Sequence, residues 1–77
     1  MVIAYKFATR VGTFWIRIDE DGRWNASFEE EGLGNYYSPE LASDDLAGGH
    51  TYTPSCGDTA RLGISADLSD WTRIVSR

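Results

Sequence analysis

Apolar and polar residues alternate with a period of two along the first third of the chain. Ile3, Tyr5 and Phe7 fall on one side of residues 2–8 and Ala4, Lys6 and Ala8 on the other, the pattern of a half-buried strand. Gly12 marks a turn, and Thr13 to Ile18 alternates again, setting Phe14, Ile16 and Ile18 against Thr13, Trp15 and Arg17. Asp21-Gly22 signals a hairpin, because glycine tolerates the positive φ of a tight turn. A third strand, Arg23 to Phe28, opposes Trp24, Ala26 and Phe28 to Arg23, Asn25 and Ser27. A second turn, Glu29 to Gly32, leads into a short fourth strand, Leu33 to Tyr37.

The period then changes. Ser38 is placed to cap a helix, with Pro39 at its first position and Glu40 in the first turn, where the helix dipole favours an acid. Gly48-Gly49 supplies the left-handed stop. Spacing at 100° per residue puts Leu41, Ala42 and Leu46 on one arc and turns Glu40, Ser43, Asp44 and Ala47 away. Asp45 falls inside the apolar arc and is expected to accept hydrogen bonds from the following loop, at His50, Thr51 or Tyr52. Residues 50–63 read as an ordered loop carrying Tyr52 and Leu62; Ser65 to Leu68 can cap one helical turn, and Trp71 to Val75 forms a closing strand. The elements therefore run β-β-β-β-α-β. They predict an α+β fold, an antiparallel sheet of four to five strands packed on one short helix, in a single domain spanning residues 1–77.

Composition limits what such a domain can do. At 77 residues there is room for one core, and such a core leaves only about 3 to 5 kcal/mol of net stability without a staple. A single cysteine, Cys56, excludes an internal disulfide, and a single histidine, His50, rules out the usual zinc ligand sets. Ten aromatic residues supply the buried area instead. The start, Met1 to Lys6, has no basic stretch followed by a long apolar run, and no segment approaches a membrane span. With its lone thiol, the chain is expected in the cytoplasm of a bacterial host cell.

Two chemical readings of the sequence lack the spacing they need. His50, Cys56 and Asp58 suggest a thiol hydrolase, but their spacing matches no motif, and so small a domain has little room for a cleft beside its core. Asp19-Glu20-Asp21-Gly22 is too short for a calcium loop and lacks the distal glutamate. No catalytic residue, metal or cofactor is expected. His50 and Asp45 are expected to serve as structural polar groups.

Charge changes the picture more. Residues 1–18 hold three bases and no acid; residues 19–45 hold nine acids and one base; residues 46–77 hold three of each, for a net charge of −5. Such a regional field attracts basic partners and repels nucleic acid. In a meander, the turns at Asp19–Asp21 and Glu29–Glu31 lie at opposite ends of the third strand, roughly 20 Å apart. Exposed Glu40 and Asp44 are expected between them. Asp19, Glu20, Asp21, Glu29, Glu30, Glu31, Glu40 and Asp44 thus make a candidate partner-binding stripe of a length comparable to several DNA phosphates. A competing surface is the sheet face around Trp15, where Lys6, Arg17, Arg23 and Asn25 can stack on and neutralise nucleic acid. The residues after 50 are expected to fold over that face and bury Trp15 with Leu62, Ile64 or Trp71.

The segments Gly12-Thr13-Phe14-Trp15-Ile16, Leu33 to Glu40, Asp44 to Thr51 and Asp67-Leu68-Ser69-Asp70-Trp71 together resemble a group of short uncharacterised bacterial proteins, which brings no catalytic residues with it. In size and acidity the chain also resembles anti-CRISPR proteins of phages and mobile elements. That resemblance implies an inhibitor that mimics DNA and occupies a basic surface, such as that of a Cascade-type CRISPR effector, as a monomer binding no nucleic acid itself. The three-strand-plus-helix opening is similar to DNA-binding domains of the plant AP2 and phage integrase type, which read DNA with the open sheet face. This implies the alternative, a small nucleic-acid-binding module acting through Lys6, Trp15, Arg17 and Arg23.

Overall fold

A computed structural model describes residues 2–76 of the chain. The strands are β1 (Val2–Thr9), β2 (Gly12–Ile18), β3 (Trp24–Phe28), β4 (Glu31–Tyr36) and β5 (Thr72–Ser76), with one helix, α1 (Pro39–Gly48), between β4 and β5. Two single-turn 3-10 helices, Thr59–Arg61 and Leu68–Asp70, lie in the segment leading to β5. All five strands pair antiparallel in one sheet of order β4-β3-β2-β1-β5, the α+β arrangement that the alternation predicts. The closing strand therefore lies beside β1. Among the described residues no helix is long and apolar enough to cross a membrane.

The sheet's alternation sorts residues onto two faces. Phe14, Ile16, Ala26 and Phe28 are buried on one of them, and α1 packs against it through Ala42 and Leu46. Phe7 opposes Phe14, and Phe14 opposes Phe28, so three aromatic rings line one cross-strand row. The Phe14 and Phe28 ring centroids are 4.9 Å apart, in the range where tilted aromatic pairs add to burial. Gly12 opens β2 at φ 148°, and a Cβ there would stand 2.7 Å from the Phe28 ring, so this corner requires glycine twice over.

A bulge adjusts β4. Ala26 pairs with Gly34 while Ser27 pairs with Gly32, which leaves Leu33 as the extra residue. Freed from strict alternation, Leu33 turns into the core at 2% exposure.

Helix α1 has the predicted ends. Ser38 accepts from the Leu41 N–H, Pro39 follows it, and Gly49 closes the helix at φ 74°. Its buried face is rotated from the expected one. Leu41 is half exposed, whereas Ser43, expected to face water, is fully buried. Chemistry explains the exchange: the Ser43 hydroxyl lies 2.8 Å from the Ala66 carbonyl and 3.0 Å from that of Glu40, so its polarity is met inside.

Candidate functional site

The two acidic turns flank β3 at its opposite ends, and their residues are not equivalent. Asp19 holds the β2–β3 turn, accepting from the N–H groups of Asp21 at 2.9 Å and Arg23 at 3.0 Å and from the Asn25 amide at 3.0 Å. Partial burial pushes its pKa up, but the bonds from Arg23, Asn25, Asp21 and Asn35 outweigh this and hold it below the usual carboxylate value. Glu29, at φ 51°, accepts from the Thr13 N–H at 2.8 Å, which ties the β3–β4 turn to β2. Glu31 accepts from both the backbone N–H and the hydroxyl of Ser55. Asp19, Glu29 and Glu31 are therefore engaged in holding turns and a loop. Glu20, Asp21, Glu30, Glu40 and Asp44 are exposed.

Their placement follows from the register. Tyr36 at the end of β4 opposes Trp24 at the start of β3, so α1 begins beside the Asp19 turn, as the meander predicts. Asn35, whose position after the bulge the alternation did not reveal, opposes Asn25 and donates to its side-chain oxygen.

The Trp15 face departs from expectation. Ile64 and Trp71 are buried with Phe14 and Ile16, and Leu62 packs against the same cluster. Trp71 meets Phe7 with ring centroids 5.3 Å apart, and its indole N–H donates to the Ser65 carbonyl at 2.8 Å. The residues after 50 therefore thicken the helix side of the sheet, and Trp15 is left on the other. The reason is polar as much as apolar, since the Ser43–Ala66 bond draws this segment onto α1.

On that second face Trp15 opposes Lys6 on one side and Ser27 on the other, and in the adjoining row Arg17 opposes Ala4 and Asn25. The Arg17 guanidinium carbon lies 4.3 Å from the centroid of the Trp15 ring, a cation–π pair. Arg23, expected beside them, sits one residue ahead of β3 and stacks instead on Tyr37, 4.2 Å from its ring centroid.

The thiol and histidine do not share a cleft. Cys56 lines a cavity of about 400 Å³ with Arg10, Val11, Gly57, Asp58, Arg61 and Leu62, whereas His50 lines one of about 340 Å³ beside β4 with Tyr36 and Tyr52. Burial pushes the Cys56 thiol up, and Glu31 adds to this, so the thiolate that nucleophilic chemistry needs is disfavoured. Asp58 caps the first 3-10 helix through the Ala60 N–H. The His50 N–H donates to the Asp45 carbonyl at 2.9 Å. Among the described residues, no three of His, Cys, Asp and Glu gather closely enough to hold a metal ion.

Asp45 finds a different side-chain partner from the one expected. The nearby Tyr36 hydroxyl is the group its carboxylate acts on: burial, and then the proximity and charge of Asp45, push the Tyr36 pKa up to about 12. The loop donors remain with the backbone: Tyr52 N–H goes to the Leu33 carbonyl. Tyr36 is aimed by Gly34, since a Cβ there would stand 2.8 Å from the tyrosine hydroxyl.

Comparison with known protein families, with curated proteins and with solved structures brings no match to this chain.

Proposed function

We propose that the chain is a non-enzymatic binding protein whose acidic surface occupies a basic nucleic-acid-binding channel of another protein, in the manner of an anti-CRISPR inhibitor acting on a Cascade-type effector. The host compartment of this reading is the bacterial cytoplasm. The observation that carries it is the division among the acids. Three hold the fold together, whereas Glu20, Asp21, Glu30, Glu40 and Asp44 stand exposed in a chain of net charge −5. Exposed like charges repel one another and add nothing to the core, so their concentration within residues 19–45 favours a basic counterpart.

The test is charge reversal at acids the fold does not use. Glu20→Lys, Glu30→Lys and Asp44→Lys together leave the melting temperature within a few degrees and abolish inhibition of a basic effector. Parental binding weakens as salt rises and competes with the effector's own nucleic acid. A triple variant that inhibits like the parent refutes the reading.

A second reading draws on the uncovered sheet face, where Lys6, Trp15 and Arg17 sit together. There the domain binds single-stranded nucleic acid directly, with the indole as the stacking surface. Gel shifts separate the two, since this reading requires retardation of the nucleic acid by the parent and its loss on Lys6→Glu with Arg17→Glu.

A further inference from the structure

The sheet's two edges are treated differently. Beside β4 runs the chain after α1: the Tyr52 N–H takes the Leu33 carbonyl at 3.2 Å, and Ser55 is held by the Glu31 side chain. The bulge at Leu33 breaks that edge further. At the other edge β5 pairs with β1 and, among the described residues, with no other strand. It is regular over five residues, contains no proline, glycine or acid, and three of its five residues are β-branched. Among the described residues, no strand pairs with the outer side of β5, and the strand carries none of the usual guards except Arg73.

We propose that β5 is a self-association edge, pairing antiparallel with β5 of a second copy to join two five-stranded sheets into one of ten strands. The occupant follows from the strand's own symmetry. A twofold axis perpendicular to the sheet keeps each face continuous, so the axis passes midway between the two copies of one self-paired residue, and residues equally distant from it along the strands lie opposite one another. Centring on Arg73 sets two guanidinium groups face to face and pairs only three residues of β5. Centring on Val75 also pairs only three. Centring on Ile74 pairs all five, sets Ile74 against itself, and places each Arg73 opposite a Val75 that is half exposed in the single chain. The aliphatic stem of Arg73 then covers the valine while its charge reaches water.

So short a contact is transient, with dissociation in the range of about 0.1 to 1 mM. The expected monomer is thus the dilute form. Paired, the uncovered faces of both copies become one surface carrying Trp15 and Arg17 twice.

Sedimentation equilibrium over a concentration series tests this. The parent passes from monomer towards dimer, Val75→Glu strengthens association about tenfold by opposing Arg73, and Val75→Arg weakens it by a similar factor. Ile74→Lys, which faces two like charges on the axis, leaves a folded monomer at every concentration. A parent monomeric up to about 2 mM, equal effects of glutamate and arginine at position 75, or a folded Ile74→Lys protein that still associates overturns the proposal.

Discussion

The Ser43 hydroxyl donates to the Ala66 carbonyl at 2.8 Å, joining the buried side of α1 to the segment that ends in Trp71. That bond accounts for two features together. It meets the polarity of a serine that is buried on the helix while Leu41, the residue the apolar spacing assigns to the core, is half exposed, and it ties residues 64–71 to the helix side of the sheet, away from Trp15.

Ser43→Ala therefore destabilises by about 1 kcal/mol, the net worth of one buried hydrogen bond, while Asp44→Ala, one residue on and exposed, changes stability by no more than about 0.5 kcal/mol. Urea unfolding of the pair measures the difference. Equal midpoints would mean that the hydroxyl contributes nothing to holding the segment.

Tyr36 gives an alkaline signature. Its folded pKa is raised to about 12 from an ordinary 10.0, so its contribution is complete below the ordinary value and is lost as pH rises through the folded one. Ultraviolet titration of the parent should show a late step from Tyr36. Tyr36→Phe removes that step, and Asp45→Asn moves it to lower pH by removing the neighbouring charge. A titration unchanged in Asp45→Asn would separate the two residues.

Much of this architecture is legible from local pattern alone. Alternation finds β1, β2 and β3 with their faces, and Ser38, Pro39 and Gly49 bracket α1 to the residue, because caps are short-range chemistry. The failures all involve partners distant in sequence. Ser43 reads as exposed until Ala66 arrives, 23 residues later. Leu33 reads as an ordinary strand residue because a bulge is a relation between two strands. Among the acids, composition treats eight alike, yet Glu29 and Glu31 are committed to Thr13 and Ser55 by contacts that only the fold creates. Reversing Glu29 to Glu31 as a block would therefore confuse lost structure with lost binding.

On the acid side the sign is opposite to that of Tyr36. Asp19 and Asp67 have folded pKa values below the ordinary 3.8, Asp67 through bonds from the Ser69 backbone and side chain. Their contribution is present above the ordinary value and lost as pH falls through the folded one. Melting temperature therefore drops below about pH 4, and Asp19→Asn flattens that drop. If the slopes of parent and variant coincide, the Asp19 turn is not part of the acid response.

The last prediction uses two tryptophans as internal controls for each other. Trp71 is 5% exposed, packs on Phe7 and donates to Ser65, so Trp71→Ala should cost about 3 to 5 kcal/mol and approach unfolding in a domain of this size. Trp15 is only partly covered, with Arg17 stacked on its ring and Lys6 opposite it in β1, so Trp15→Ala should cost roughly 1 kcal/mol. Whatever Trp15→Ala does to binding then reflects the surface. Under the acidic-surface reading the variant inhibits its basic partner within a few-fold of the parent and neither protein retards nucleic acid. Under the sheet-face reading the parent retards single-stranded nucleic acid and the variant loses about 1 to 3 kcal/mol of that affinity, the worth of one base stacked on an aromatic ring. A Trp15→Ala protein as unstable as Trp71→Ala would instead make Trp15 a packing residue and remove the second reading.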